Sequence, residues 1–395
     1  MGNEISRRRF VKVSAAAAGT AMGSLLLGGC ASNAASTTSA SAAASASAAA
    51  SASTSAATSQ ATSAAASASL SGKSKGHNGK GAPRYQRAMN KAQVITEAPD
   101  ETEALAKFVV VSDTHLALEF QDYVDRVQNM FEDIAEFCPD NDAIIVNGDI
   151  TNSASLEEYA KFAELAEASG FAYPDDFVLV IGNHDQYDSS EGTQAVSNLS
   201  DRFREQAGIS DQIHPYYDRT INGVHLIMMG PDRFPDDSWL HFGVTSEQIE
   251  WFDNLVDEDL RNEQLSLVFL HEPLYQTVRN TEPGDWGHQW SLSDEDNANL
   301  HECIRKHPNI IFFTGHTHAL PDVVQLESDD PLYVGTGSVA YCIDDIEDDS
   351  TGNADISEYG SLGWEVTVWT TCIRFRLRDF LKREYSTIEG GIYEF

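Results

Sequence analysis

Five times in this chain an apolar, largely β-branched run stops abruptly on Asp, Asn or His: KFVVVSD, DAIIVNGD, FVLVIGNHD, LSLVFLHE and NIIFFTGHTH. Runs this short, apolar on both faces, fit buried strands of a parallel sheet rather than helices. Between them, YVDRVQNMFEDIAEFC, SLEEYAKFAELAEASG and SEQIEWFDNLVDEDL space their apolar residues as helices do. The order β-α-β-α-β, with further helices later, predicts an α/β domain from about residue 104 onward. GVHLIMMG, LYVGTGSVAY, GWEVTVWT and CIRFRLRDF add strands with little helix between them, which calls for a second sheet packed on the first.

In α/β sheets the carboxyl ends of the strands are where ligands bind. Asp113 and His115 follow the first run, Asp149 the second, Asn183, His184 and Asp185 the third, His271 the fourth, and His316 and His318 the fifth. In Asp-x-His and His-x-His, alternate side chains leave one side of an extended backbone, so both members of a pair can face one cavity. Two carboxylates, an amide oxygen and four imidazoles, with Asp149 shared, supply four protein ligands to each of two ions. Such an oxygen and nitrogen set suits Mn, Fe or Zn better than Ca. A lone strand-end His such as His271 is ordinary structural chemistry; the joint order of all five strand ends is not.

The segments DTH, GD, GNHD, HEP and GHTH resemble the calcineurin-like metallophosphoesterases, and the resemblance runs from residue 108 to about 340. It implies a four-layer α-β-β-α sandwich, two mixed β-sheets flanked by helices. It also implies two divalent transition metals, Mn, Fe or Zn. Asp113, His115 and His318 would hold one with the bridging Asp149, while Asn183, His271 and His316 join Asp149 on the other. By the same resemblance the metals clamp a phosphate and acidify a bridging water for in-line attack, with His184 outside the coordination shell as proton donor. Asp185 is expected to orient the His184 imidazole and favour its protonated form.

Purple acid phosphatases carry a Tyr ligand three residues after the shared Asp, where this chain has Asn152. The GNHD and GHTH forms look closer to the branch that contains cyclic-nucleotide phosphodiesterase-like proteins. The segment 275–299 reads as an insertion near the strand ends, where Trp286 and Trp290 could stack on a base or sugar and His288 could touch phosphate; packing of both Trp within the insertion is the alternative. A competing reading of the whole is a non-catalytic binding lipoprotein with a structural metal site. The unligated His184 favours an enzyme.

Residues 1–30 read as an export signal. Ser6-Arg7-Arg8-Arg9-Phe10-Val11-Lys12 resembles a twin-arginine motif, and LGGC resembles a lipobox that would place a lipid on Cys30. Residues 31–103, rich in Ala and Ser, cannot bury enough apolar surface to order, so they form a flexible tether; about sixty such residues reach roughly 40 Å. The folded domain is 104–395, expected outside the cytoplasm and lipid-anchored to the outer face of the cell membrane.

Of 61 acidic groups only 1 lies in the first 90 residues, against 9 of the 26 basic ones. So acidic a domain repels polyanions, and the expected partner is a small phosphoester rather than a nucleic-acid polymer. Cys138, Cys303, Cys342 and Cys372 show no CxxC spacing and lie in or beside apolar segments. Two disulfides and four buried thiols both remain open, while a cysteine zinc site is not expected.

Overall fold

The computed structural model describes residues 93–186, 196–233, 243–283, 285, 292–326, 330–343 and 360–395. Cys30, the tether up to residue 92, Trp286, His288 and Trp290 lie outside the described residues.

Strands are numbered in chain order. A seven-stranded sheet runs β1 (Gln93–Val94), β13 (Glu384–Glu394), β12 (Cys372–Asp379), β11 (Leu362–Val368), β2 (Ala106–Val111), β3 (Ala143–Asn147), β4 (Phe177–Val180). A six-stranded sheet runs β5 (Tyr217–Ile221), β6 (Val224–Met228), β7 (Ser266–Phe269), β8 (Ile310–Thr314), β10 (Leu332–Gly335), β9 (Asp322–Val324). Each sheet is mixed: β2, β3 and β4 are parallel, as are β6, β7, β8 and β10, and antiparallel strands complete both. Helices α1 (Gln121–Phe137) and α2 (Leu156–Ala168) fill the crossovers of the first sheet. Helix α3 (Val196–Gln206) follows β4, and α4 (Ser246–Arg261) and α5 (Asp294–Ile304) serve the second sheet.

Three apolar clusters account for the layering. Between the sheets, Phe108, Val110, Ile145 and Val178 meet Leu226, Phe269, Phe313 and Val334, with Trp364 among them. On the outer side of the first sheet Val109, Val111 and Ile144 pack with Val127, Phe131 and Phe162 of α1 and α2. On the outer side of the second, Ile227, Val268 and Phe312 pack with Phe252, Val256 and Leu300 of α4 and α5. Neighbours in one strand thus belong to opposite layers, Phe108 to the middle and Val109 to the outside, which is why the runs are apolar at every position. The result is the four-layer helix-sheet-sheet-helix sandwich. One buried ion pair ties its layers: Arg378 on β12 grips Asp133 on α1 through Nε–Oδ2 2.7 Å and a second nitrogen at 2.9 Å.

Several expectations need revision. Residues 93–103, read as the end of the tether, belong to the fold, with Gln93–Val94 pairing on β13 and a short helix at Glu101–Glu103. The five donor-bearing strands do not share one sheet: β7 and β8 lie in the second, while β11 and β12, expected there, extend the first. LYVGTGSVAY is strand only to Gly335; Gly337 then takes φ +76°, and the following backbone turns to the β2 exit, with Val339 N donating to Ser112 O (3.0 Å) and Ala340 N to Asp113 O (3.0 Å). The four cysteines are buried free thiols, so the disulfide alternative falls. No helix among the described residues is long and apolar enough to cross a membrane.

Candidate metal centre

All five strand ends open at one edge of the sandwich. Asp113 and His115 leave β2, Asp149 leaves β3, and Asn183 leaves β4, all from the first sheet; His271 leaves β7, and His316 and His318 leave β8, from the second. Five of these seven residues have left-handed backbone: Asp113 (φ 52°), His115 (40°), Asp149 (50°), His316 (65°) and His318 (50°). For a non-glycine residue such a conformation costs about 1–3 kcal/mol and persists only where the surroundings dictate it. Here the loops clamp one another: Asp113 N donates to Gly148 O (3.1 Å), His115 N to Asp149 O (3.0 Å), Gly315 N to His271 O (3.0 Å), and His316 N to Asp113 Oδ2 (3.1 Å). The adjoining glycines allow that approach. A Cβ on Gly148 would strike the His271 ring, one on Gly182 would strike Asp149, and one on Gly315 would strike Ser112 and Asp113.

The donors form two linked groups. In one, His318 Nε2 lies 3.2 Å from Asp113 Oδ1 and 3.0 Å from His115 Nε2. In the other, His271 Nε2 lies 3.1 Å from Asp149 Oδ2, and His316 Nδ1 lies 3.0 Å from Asn183 Oδ1. Asp149 Oδ2 also lies 3.5 Å from His115 Nε2, and Asp113 Oδ1 lies 3.7 Å from His271 Nε2, so both carboxylates reach across and Asp149 does so more closely. His271 Nδ1 faces the Asn147 carbonyl at 2.8 Å and His318 Nδ1 the Tyr341 carbonyl at 3.0 Å. A carbonyl only accepts, so each Nδ1 carries a proton and Nε2 is the nitrogen turned to the centre.

Lone pairs of nitrogen and carboxylate oxygen that face each other at such distances repel unless a cation intervenes. Asp113 Oδ1 and His271 Nε2 are moreover buried with no hydrogen bond of acceptable geometry. The donor set therefore fits divalent cations. Titration is consistent with this. Burial opposes ionisation of Asp113 and Asp149, yet the imidazoles of His318 and His271 hold the first, and those of His271 and His184 the second, below the usual carboxylate range. Burial and His184 push His115 down to about 4, and burial and His271 push His316 down to about 3, which keeps both rings neutral. His271 goes the other way: burial disfavours its cation, but Asp149 and Asp113 raise it well above the ordinary value. A bound metal would take the place of that proton.

His184 sits beside the centre, its ring 4.6 Å from that of His115 and its backbone N donating to Asp149 Oδ1 (2.8 Å). The expectation that Asp185 orients this imidazole is not what the structure shows. His184 Nδ1 donates to the Asn152 carbonyl (2.8 Å). Asp185 turns inward and accepts from Ile150 N (3.2 Å), Thr151 N (3.1 Å), Thr151 Oγ1 (3.0 Å), Tyr159 Oη (3.1 Å) and Gly182 N (3.0 Å). The tight turn over His184–Gln186 puts consecutive side chains on different sides, so His184 faces the cavity while Asp185 buckles the β3 and β4 exit loops together.

Sequence reasoning also missed an aromatic flank. Tyr341 stacks on His318 (centroids 4.2 Å apart), Tyr123 stacks on Tyr341 (6.2 Å), and Phe120 lies 5.4 Å from Tyr123. Phe120 and Leu118 are 47% and 49% exposed, an apolar lip beside the donors. The only sequence sign was LALEF, apolar residues in a loop directly after the DTH segment.

The profile of the calcineurin-like phosphoesterase family matches residues 106–320, more than half of the chain. No curated protein sequence matches it. Among solved structures, a dimetal phosphatase from Danio rerio shares the fold with TM-score 0.50 and 13% identity, covering 74% of this chain and 99% of that one. Purple acid phosphatase PPD1 from yellow lupin seeds is similar at TM-score 0.49 and 13% identity over 71% of this chain and 52% of its own. The matched residues hold every strand-end donor described above, and the chain belongs to the calcineurin-like phosphoesterase family, enzymes that hydrolyse phosphoric esters.

Proposed function

We propose that the chain hydrolyses an organic phosphodiester at a dinuclear divalent-metal centre outside the cytoplasm, with His184 as proton donor to the leaving oxygen. The observation that carries this reading is the position of Asp149, whose Oδ2 is 3.1 Å from His271 Nε2 and 3.5 Å from His115 Nε2, between two groups of buried donors. Asp113, His115 and His318 would hold one cation and Asn183, His271 and His316 the other, with Asp149 on both. Two such cations, when bound, supply Lewis acidity toward the phosphoryl oxygens and lower the pKa of bound water toward neutrality.

The chain's own groups supply the rest. His184, fixed through Nδ1–H to the Asn152 carbonyl, directs its other nitrogen to the cavity, where its protonated form can neutralise a departing alkoxide. Tyr341, Tyr123 and Phe120 offer a face to the organic part of the ester. The twin-arginine-like signal, the lipobox at Cys30 and the Ala/Ser tether support an anchored, extracytoplasmic enzyme.

Purified protein would be assayed on bis-p-nitrophenyl phosphate and p-nitrophenyl phosphate alongside Asp149→Ala, with metal quantified in both proteins. Loss of activity together with about two metals per chain in the variant is expected, as is preference for the diester. Activity indifferent to Asp149 would sink the centre as described and put the binding-lipoprotein reading first. Hydrolysis of the monoester alone would overturn the diesterase assignment.

A further inference from the structure

A second group of metal-type donors lies far from the strand-end centre, on the helices that cover the second sheet. Asp253 and Asp257 are one turn apart on α4, and Cys303 and His307 one turn apart at the end of α5 and the turn after it. On neighbouring helices, pairs spaced four apart present two side chains each to the same seam. His307 and Cys303 are buried, while the two carboxylates are about half exposed. Strand β8 begins three residues after His307 and ends before His316, so its length, about 17 Å, separates this group from the strand-end donors.

One donor atom each from Asp253, Cys303 and His307 lies within 4.8 Å of the other two, close enough to meet on one ion. Cys303 Sγ lies 3.2 Å from Asp253 Oδ1, and His307 Nε2 lies 3.1 Å from Asp257 Oδ1 and 3.7 Å from Asp253 Oδ1. Zinc bonds of about 2.0–2.3 Å in tetrahedral geometry set ligand separations of about 3.3–3.8 Å, so the His307 to Asp253 distance already matches and the shorter Cys303 to Asp253 hydrogen bond would lengthen by a few tenths of an ångström on binding. The His307 ring is oriented as a ligand would be, because Nδ1 donates to the Cys303 carbonyl (2.9 Å) and Nε2 is the nitrogen turned toward the carboxylates.

From this geometry we propose that Asp253, Cys303 and His307 form a third metal site, mononuclear and of the zinc type, that staples α4 to α5. Binding would release the Cys303 thiol proton to solvent and engage the resulting thiolate, an unprotonated His307 Nε2 and the Asp253 carboxylate. Burial and the Asp253 carboxylate raise the thiol pKa, so the group stays protonated until a cation compensates. The expectation of no cysteine zinc site rested on the lack of CxxC spacing. It did not weigh a site in which one thiolate joins an imidazole and a carboxylate contributed by a second helix.

Cobalt distinguishes this site from the strand-end centre, which contains no thiolate. Full-length protein stripped of metal and titrated with Co²⁺ is expected to develop a thiolate-to-cobalt charge-transfer band in the near ultraviolet. Cys303→Ser should abolish the band and lower the bound metal by one per chain, while bis-p-nitrophenyl phosphate hydrolysis stays within twofold of the parent. His307→Gln should weaken cobalt binding at the band at least tenfold. If the folded, cobalt-saturated parent shows no such band, or Cys303→Ser binds as much metal as the parent, the proposal is overturned. His307 is then the cation of an ion-pair cluster with Asp253 and Asp257. The parent spectrum decides the matter even if a variant fails to fold.

Discussion

His184 Nδ1 donates to the Asn152 carbonyl at 2.8 Å, while the neighbouring Asp185 carboxylate faces the opposite way into the loop. The proton-donor role then depends on a backbone oxygen. His184→Ala is expected to lower kcat by about 10²–10⁴-fold on esters with alkyl leaving groups, and far less on p-nitrophenyl esters, whose leaving group needs little protonation. Asn152→Ala keeps the carbonyl and should leave both rates near the parent. Steady-state rates on the two ester types check this.

Asp185→Asn should act on stability rather than on the proton. Burial and Asp149 push its carboxyl up to about 6, yet it serves five donors that an amide cannot satisfy equally. Exchanging one carboxylate oxygen for an NH₂ leaves buried donors unpaired at about 1–3 kcal/mol each, not additively. A lower thermal midpoint is expected with an unchanged ratio of rates on good and poor leaving groups. A changed ratio would restore Asp185 as the orienting group.

Gly182→Ala is expected to abolish activity, since the added methyl group enters the space of the Asp149 amide and carboxylate. Gly170→Ala is the control. Unlike Gly182 it sits at positive φ (97°), but it meets no atom within 4 Å, so it should lose about 1 kcal/mol of stability and keep its rate. Assay and thermal melting of both variants test the contrast.

Asp133→Ala strands the Arg378 guanidinium, which is otherwise buried over Phe137 and Tyr385. The loss should be about 3–5 kcal/mol by denaturant titration. Replacing both partners, Asp133→Leu with Arg378→Met, removes the buried charge as well and should cost less than the single change.

His225 sets a pH window. Burial pulls its pKa down, but Asp218 and Asp259, the latter at 2.6 Å, lift it to about 9. The folded protein therefore holds this proton more tightly than the unfolded chain. That contribution is whole below about pH 6.5 and disappears as pH rises through about 9. Stability should fall across the window by on the order of 1 kcal/mol, about 3 °C in Tm. His225→Gln should flatten that part of the curve, and melting at stepped pH reads the difference.

The buried strands and the strand-end donors were legible because burial on both faces leaves an unbroken apolar run, and each donor stands at a fixed offset from its end; which sheet a strand joins was not, since β7 and β8 leave the sheet of β2–β4 and β11 and β12 enter it. Edge strands carry no such mark. In β5, Asp218, Arg219 and Thr220 are exposed, and nothing in that tripeptide signals pairing with β6. The roles of Ser338 and Tyr341 were equally hidden. Ser338 Oγ donates to Asp113 O across more than two hundred residues (3.0 Å), and Tyr341 reaches His318 through its carbonyl and its ring. Asp185 was misread for a related reason: adjacency in sequence says which residue is near His184, and the turn decides which way each points.

The first sheet carries Asp113, His115, Asp149 and Asn183, and the second carries His271, His316 and His318. The centre is thus a caliper spanning the sandwich. Slippage by one residue, about 3.3 Å along a strand, would separate every cross-sheet pair while leaving each sheet's own ladder intact. Catalysis should accordingly register misalignment of the two halves well before any loss of secondary structure does.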